Sequence, residues 1–228
     1  MHRLMVFLLV ISILIFPVKA ESSDKLVALT FDDGPNNNTT VDVLNILEEY
    51  GVKASFFVIG NNITKNTKPI LKRTYAMGCE ICNHSKSHYD MTKLTPDEIR
   101  AEVEYVTELV TEITGEPTRF FRPPYIAVNQ TMYDVIDMPF ICGMGCDDWD
   151  NNVSADERTE RILSQVKDGT IILLHDMECN DKTVTALKTI IPSLLEKGYE
   201  FVTVSELFEI KGIELSPDDA NIYTYVGK

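Results

Sequence analysis

An α/β fold in which a parallel sheet of about seven strand-helix units is wrapped by helices, with a closed (β/α) barrel favoured over an open doubly wound sheet, is what this 228-residue sequence predicts. Three observations carry that prediction. Short β-rich runs alternate with longer helical patterns, and parallel strands need crossover helices between them. Runs such as "TIILLH" (170–175) and "ASFFVIG" (54–60) are apolar on both faces, as strands covered on both sides are. No GxGxxG follows the first strand, which removes the usual mark of a dinucleotide-binding open sheet. Seven such units favour closure, and in either architecture a site forms at the C-terminal ends of the strands.

Taken in order, residues 1–20 stand apart from that pattern. Arg3 precedes an apolar run from Leu4 to Phe16, and "VKA" ends at Ala20 as a small-residue cleavage site. The segment is therefore read as a signal peptide of an exported protein, and residues 21–228 as one catalytic domain. The run is short for a bilayer, since a transmembrane helix needs roughly 20 apolar residues; an uncleaved anchor is the alternative. Strands are then expected at Leu26–Phe31, Ala54–Ile59, Glu80–Asn83, Arg119–Phe121, Phe140–Cys142, Thr170–Leu174 and Glu200–Val204. Glycine and proline end the first at "TFDDGP" (30–35), and the prolines of "RFFRPPY" (119–125) end the fourth. Two of the helices between announce their starts. In "TPDE" (95–98) Thr95 is the N-cap, Pro96 the first helical residue and Glu98 the closing member of a capping box, and "SADE" (154–157) repeats the box. Nothing reads as a linker, a repeat or a low-complexity tract.

Removing residues 1–20 takes away Arg3 and Lys19, leaving 19 basic against 35 acidic residues and a formal charge of −16. So acidic a chain argues against nucleic acid and anionic membranes as partners, and suits a secreted enzyme acting on neutral or cationic polymers, expected as a monomer free of the membrane. The five cysteines, Cys79, Cys82, Cys142, Cys146 and Cys179, leave at least one unpaired in a monomer. Cys79 and Cys82 have the CxxC spacing but lie on an apolar run read as a buried strand, where three residues span about 10 Å, beyond disulfide reach. They are read as core thiols.

The polar residues that stand out gather at strand ends. Asp32 and Asp33 leave the first strand side by side, although neighbours on a regular strand point to opposite faces. At a Gly-Pro bend that alternation lapses. Residues 21–228 hold three histidines, His84, His88 and His175, each at or just after a predicted strand end. "HSKSH" sets His84 and His88 four apart, which on one helical turn brings both imidazoles to one face, a spacing suited to a single metal ion. Two histidines and a carboxylate from another strand end make a facial set with open positions for water and substrate, as hydrolytic zinc or another divalent ion uses. Arg122 and His175 add a cation and a titratable imidazole at two further ends. Each alone reads as an ordinary turn, strand exit or core cap; their shared address makes them one candidate site.

The order "TFDDGP", "HSKSH", "RPPY", "DDWD", "LLHD" resembles that of the polysaccharide deacetylases, carbohydrate esterase family 4, over about Leu26 to Phe208. The resemblance implies a distorted (β/α) barrel and metal-dependent removal of acetyl groups from sugars, with one divalent ion, zinc first and cobalt or another as alternatives. Carried over by position, Asp33, His84 and His88 look like the metal ligands and Asp32 the general base, while Arg122 is similar to the arginine that orients that base. The Tyr125 backbone N–H resembles the oxyanion donor, Trp149 and Leu173 the apolar lining around the acetyl methyl, and His175 the general acid. The fourth motif departs from the family. With Asp148 and Trp149 aligned, Gly145 stands where an aspartate usually supports the catalytic histidine, and Cys142 where an aromatic is common; Asp147, Asp148 or Asp176 are the candidates to replace it.

What the resemblance implies as substrate is an acetylated polysaccharide, first a GlcNAc-containing polymer such as chitin, chitooligosaccharide or peptidoglycan. Acetylxylan esterase activity through the same site is the alternative, and a catalytically impaired carbohydrate-binding relative a third reading. Amide and ester hydrolysis share a tetrahedral intermediate, so these residues do not choose between them.

Overall fold

The computed structural model describes residues 25–215 and 220–227; the signal peptide expected at 1–20 lies outside them. The described elements are β1 (Lys25–Asp32), α1 (Thr39–Tyr50), β2 (Ser55–Val58), α2 (Lys68–Ala76), β3 (Glu80–Asn83), α3 (Pro96–Thr114), α4 (Gln130–Val135), β4 (Phe140–Ile141), α5 (Ala155–Gln165), β5 (Thr170–His175), α6 (Asp181–Glu196), β6 (Tyr199–Val202), α7 (Val204–Lys211) and β7 (Ile222–Tyr223). Both expected capping boxes form, Thr95 with Glu98 and Ser154 with Glu157, and Thr203 with Glu206 makes a third at the start of α7. No described helix is long and apolar enough to cross a membrane.

β1 organises the sheet. It pairs in parallel with β5 along Val27–Asp32, with β2 over Thr30–Asp32 and with β6 over Lys25–Ala28. β2 pairs in parallel with β3. From β3 the ring continues through single parallel bridges, Asn83 to Phe121 and Phe121 to Phe140, and returns to β5 through Met144 and Ile172. The barrel is therefore closed but distorted, with one continuous ladder and one wall of isolated bridges. The strand expected at Arg119–Phe121 shrinks to the bridges of Phe121, because Pro123 and Pro124 follow with no N–H to continue a ladder. β7, which the apolar pattern does not announce, is a two-residue strand paired in parallel with β4.

Alternation along the strands carries polar groups to the barrel mouth. Val27, Leu29 and Phe31 pack outward with Val43, Leu47, Leu187 and Ile190 of the flanking helices, while Leu26 and Ala28 share the inner cluster with Phe57, Cys82 and Ile171. Each fully buried Leu or Phe in these layers contributes about 1.5–3 kcal/mol against staying exposed. The inward parity runs 26, 28, 30, 32 on β1 and 171, 173, 175 on β5, and from Cys82 it reaches His84 just past β3. Asp32, His84 and His175 are thus the last inward positions at the C-terminal ends.

Candidate active site

β1 ends at Asp32, buried at the mouth, and the chain then turns sharply. Asp33 has φ 77°, in the left-handed region that non-glycine residues seldom adopt. That bend returns its carboxylate to the side Asp32 already faces. Gly34 completes the turn, where a Cβ would run into the Asp176 carboxylate.

The helical turn expected for "HSKSH" does not form. Ser85 (φ 64°) and His88 (φ 55°) are both left-handed, which a right-handed helix excludes. Side chains tie the loop down instead: Ser85 N–H donates to Asn83 Oδ1 (2.9 Å), His88 N–H to Ser85 Oγ (3.0 Å), and the N–H and hydroxyl of Ser87 to Glu102 on α3 (2.8 Å each). The two imidazoles still meet, with ring centroids 4.9 Å apart. Their Nε2 atoms each lie 3.5 Å from Asp33 Oδ1, and the three groups present ligand atoms within 4.8 Å of one another.

This donor set fits a divalent cation. His84 Nδ1 donates to the Arg122 carbonyl at 2.7 Å, so its Nε2 carries the lone pair on the side of the carboxylates. Asp33 Oδ1 is buried with no hydrogen-bond partner. A buried carboxylate oxygen between two imidazoles is costly unless a positive charge joins them. Burial, reinforced by the neighbouring His84, pushes His88 below the ordinary imidazole range, toward the neutral form that binds metal.

Arg122 ties two strand ends together. Its Nη1 donates to Asp32 Oδ1 at 2.5 Å, its Nε to the Ile141 carbonyl at 3.3 Å, and its guanidinium lies 3.9 Å over the Phe57 ring. Burial raises the Asp32 carboxyl, but Arg122, with His84 and His175 adding, holds it below the usual carboxylate value.

On β5, His175 has one carboxylate partner. Its Nδ1 donates to Asp148 Oδ1 at 2.7 Å and its backbone N–H to Asp148 Oδ2 at 2.8 Å. Of the three aspartates open in sequence, Asp147 turns outward to Arg161 (2.8 Å) and Asp176 turns back to Thr40 (2.5 Å), so Asp148 holds the imidazole. Burial pulls the imidazole down, yet Asp148 outweighs it and the value rises to about 9. Asp148 is held in turn by Thr183 and Asn180, and these by Arg158, three residues that nothing in the sequence singled out.

The candidate site residues line one cleft of about 610 Å³, except Arg122, which stands behind Asp32, and Asp176, which turns back to Thr40. Tyr125 and Trp149 form exposed walls, 69% and 60% accessible, and Tyr125 packs edge-on against His88 with centroids 4.7 Å apart. Leu173 forms the apolar floor. Gly143 passes over it at φ 138°, where a Cβ would sit 2.7 Å from the Leu173 Cβ. Left-handed backbone recurs in these loops, at Asp33, Ser85, His88, Tyr125 and Asp147, as strained conformations do around functional sites. The described cysteines are all free thiols; Cys79 and Cys82 are buried as expected, and Cys142 lines the cleft.

Known proteins share this architecture. The polysaccharide deacetylase family model matches residues 19–138. A bifunctional xylanase/deacetylase of Pseudobutyrivibrio xylanivorans is 51% identical over 191 residues, 84% of this chain and 32% of that protein. The peptidoglycan-N-acetylglucosamine deacetylase PgdA of Listeria monocytogenes is 35% identical over 192 residues, again 84% of this chain and 40% of that protein. The chain thus spans 32–40% of the length of these relatives. A family 4 acetyl xylan esterase from Clostridium thermocellum, solved in complex with a cobalt ion, has a TM-score of 0.86 at 41% identity, covering 89% of this chain and 99% of that one.

Proposed function

This chain belongs to the polysaccharide deacetylases, carbohydrate esterase family 4, and we propose that it is a secreted, metal-dependent monomeric esterase that removes O-acetyl groups from xylan. The observation that carries the reading is the pairing, in one cleft, of a carboxylate bound to Arg122 and an imidazole bound to Asp148 beside a three-ligand cation site. Xylan stands first because the relatives at 51% and 41% identity are a xylanase/deacetylase and an acetyl xylan esterase. N-acetylglucosamine polymers, the first expectation from sequence, are the second reading, favoured by the 35% identity to PgdA.

Asp33, His84 and His88 would hold the ion, zinc with cobalt able to replace it. A divalent ion there supplies Lewis-acid polarisation of the acetyl carbonyl and lowers the pKa of water. Asp32, kept ionised by Arg122, takes the proton of the attacking water. The Tyr125 backbone N–H supports the oxyanion of the tetrahedral intermediate, a contribution of about 3 kcal/mol for one such donor. Trp149 and Leu173 wall the acetyl methyl away from solvent. His175, with Nδ1 occupied by Asp148, donates from Nε2 to the departing sugar oxygen, leaving acetate and a free hydroxyl. The signal peptide and the acidic surface suit work outside the cell on uncharged glycans.

The test is acetate release from acetylxylan and from chitooligosaccharides side by side, before and after chelation and with zinc or cobalt restored. Release from acetylxylan that chelation abolishes is expected. Release from chitooligosaccharides alone would overturn xylan in favour of N-deacetylation, and turnover that survives chelation would remove the metal from the mechanism.

A further inference from the structure

Behind His175 lies a buried polar chain that, beyond Asp148, does not line the cleft. Asp148 Oδ2 accepts from the Thr183 hydroxyl at 2.7 Å and from Asn180 Nδ2 at 3.4 Å, besides the His175 backbone N–H. Asn180 caps α6 and Thr183 sits in its first turn. Both are bound from α5 by Arg158, whose Nη1 donates to Asn180 Oδ1 at 2.6 Å and to Thr183 Oγ1 at 2.8 Å. Its other donors go to the carbonyls of Val153 and Asp150, both at 3.1 Å. Arg158 and Thr183 are fully buried. Among the described residues no carboxylate touches this guanidinium; the carboxylate it serves is Asp148, one hydroxyl away.

The chemistry of the donors fixes the direction of the chain. A guanidinium only donates, so the Thr183 oxygen accepts from it and sends its single proton to Asp148. Asp148 Oδ2 is thereby saturated, and Oδ1 is left to the imidazole N–H. A cation donating into the hydroxyl polarises it and strengthens the next bond. Packing α5 on α6 needs none of this, because a buried charge is weak as a source of stability and apolar side chains fill such a seam as well.

We propose that Thr183, held by Arg158, is a positioning residue for the general acid, fixing the Asp148 carboxylate so that His175 presents Nε2 to the leaving group. This rests on His175 being that acid. The test uses leaving groups of different need. The sugar oxygen of acetylxylan must be protonated as it departs, whereas 4-nitrophenolate leaves 4-nitrophenyl acetate as a stable anion. Thr183→Val keeps the shape and removes the hydroxyl. It is expected to lower the ratio of kcat on acetylxylan to kcat on 4-nitrophenyl acetate about tenfold, with KM for xylan little changed, and Thr183→Ser is expected to restore the ratio. If Thr183→Val does not fold, Thr183→Ala, which only vacates volume, carries the same comparison. His175→Gln, measured on the same pair, separates the two ideas. If it lowers the ratio about a hundredfold while the Thr183 variants leave it unmoved, the positioning role is overturned and the acid stands. If His175→Gln also fails to separate the substrates, the assignment of the acid itself falls.

Discussion

The cleft holds two charge pairs of opposite polarity. On the β1 side a carboxylate stands in front and a cation behind it, Asp32 with Arg122 at 2.5 Å; on the β5 side an imidazole stands in front and a carboxylate behind it, His175 with Asp148 at 2.7 Å. Both rear partners are sealed from water, Arg122 at 0% and Asp148 at 1% accessible. Burial alone would neutralise both front groups. In each pair the rear charge wins, so Asp32 is held below its ordinary range and His175 is lifted to about 9. The same short bond thus makes a base on one side and an acid on the other. What decides the chemistry of the front group is the sign of the charge behind it.

The strongest way to break that comparison is to remove the charge in front on the β1 side. Asp32→Asn keeps the shape, abolishes the base and leaves Arg122 unpaired; kcat is expected to fall about 10²- to 10⁴-fold. Metal content by mass spectrometry should stay at the wild-type level, because Asp33, His84 and His88 are untouched, while His88→Ala should lose the ion as well as the activity. Near-normal turnover in a fully metallated Asp32→Asn would end the assignment of Asp32 as base.

Removing the charge behind on the other side has a smaller effect with a pH signature. In Asp148→Asn the imidazole loses the partner that lifts it to about 9 and should titrate near its ordinary value of about 6.5. The acid is active when protonated, so the alkaline limb of kcat should move down from near pH 9, costing about thirtyfold at pH 8 and far less at pH 6. Stability follows the same sign. A folded-state value above the unfolded one adds stability that is complete below about pH 6.5 and lost as pH rises through about 9, and the variant should lack it. A pH–rate profile that keeps its limb near 9 would show that some other group lifts His175.

The two sides also differ in how far they were readable. Asp32 and His175 were legible because each stands at the end of a predicted strand, and a strand end can be read locally whatever the rest of the chain does. His84 was legible in the same way, whereas Leu173 came only from the resemblance. "HSKSH" was misread as a helical turn because a spacing of four fits both a helix and a loop, and only Ser85 and His88 at positive φ, with Ser85 tied to Asn83 and Ser87 to Glu102, distinguish them. Asp148 was one of three aspartates of equal standing until Arg161 drew Asp147 outward and Thr40 drew Asp176 away. Arg158, Asn180 and Thr183 carried no signal, since an arginine on one helix and a threonine on the next meet only once α5 packs on α6.

Asp176 supplies the control that sharpens the comparison, with the smallest expected effect. It follows His175 directly and is as buried as Asp32, but no cation stands behind it. Thr40 Oγ1 donates to its Oδ2 at 2.5 Å, while Oδ1 has no partner. Burial therefore prevails, aided by the charges of Asp33 and Asp32, and the carboxyl rises to about 7. The folded protein then keeps a proton that the unfolded chain has released, and stability falls as pH climbs from about 4 to about 7. Asp176→Asn is neutral throughout and still offers Thr40 an acceptor. In protein stripped of divalent ions, where no added cation offsets Asp33, the variant should gain on the wild type across that window and melt a few degrees higher at pH 8, at about 2–4 °C per kcal/mol for a chain of this size. Thermal melts at pH 4, 6 and 8 read the difference directly. A constant difference would mean that Asp176 ionises without cost in the same dry pocket, and the charge behind a buried group would no longer account for its state.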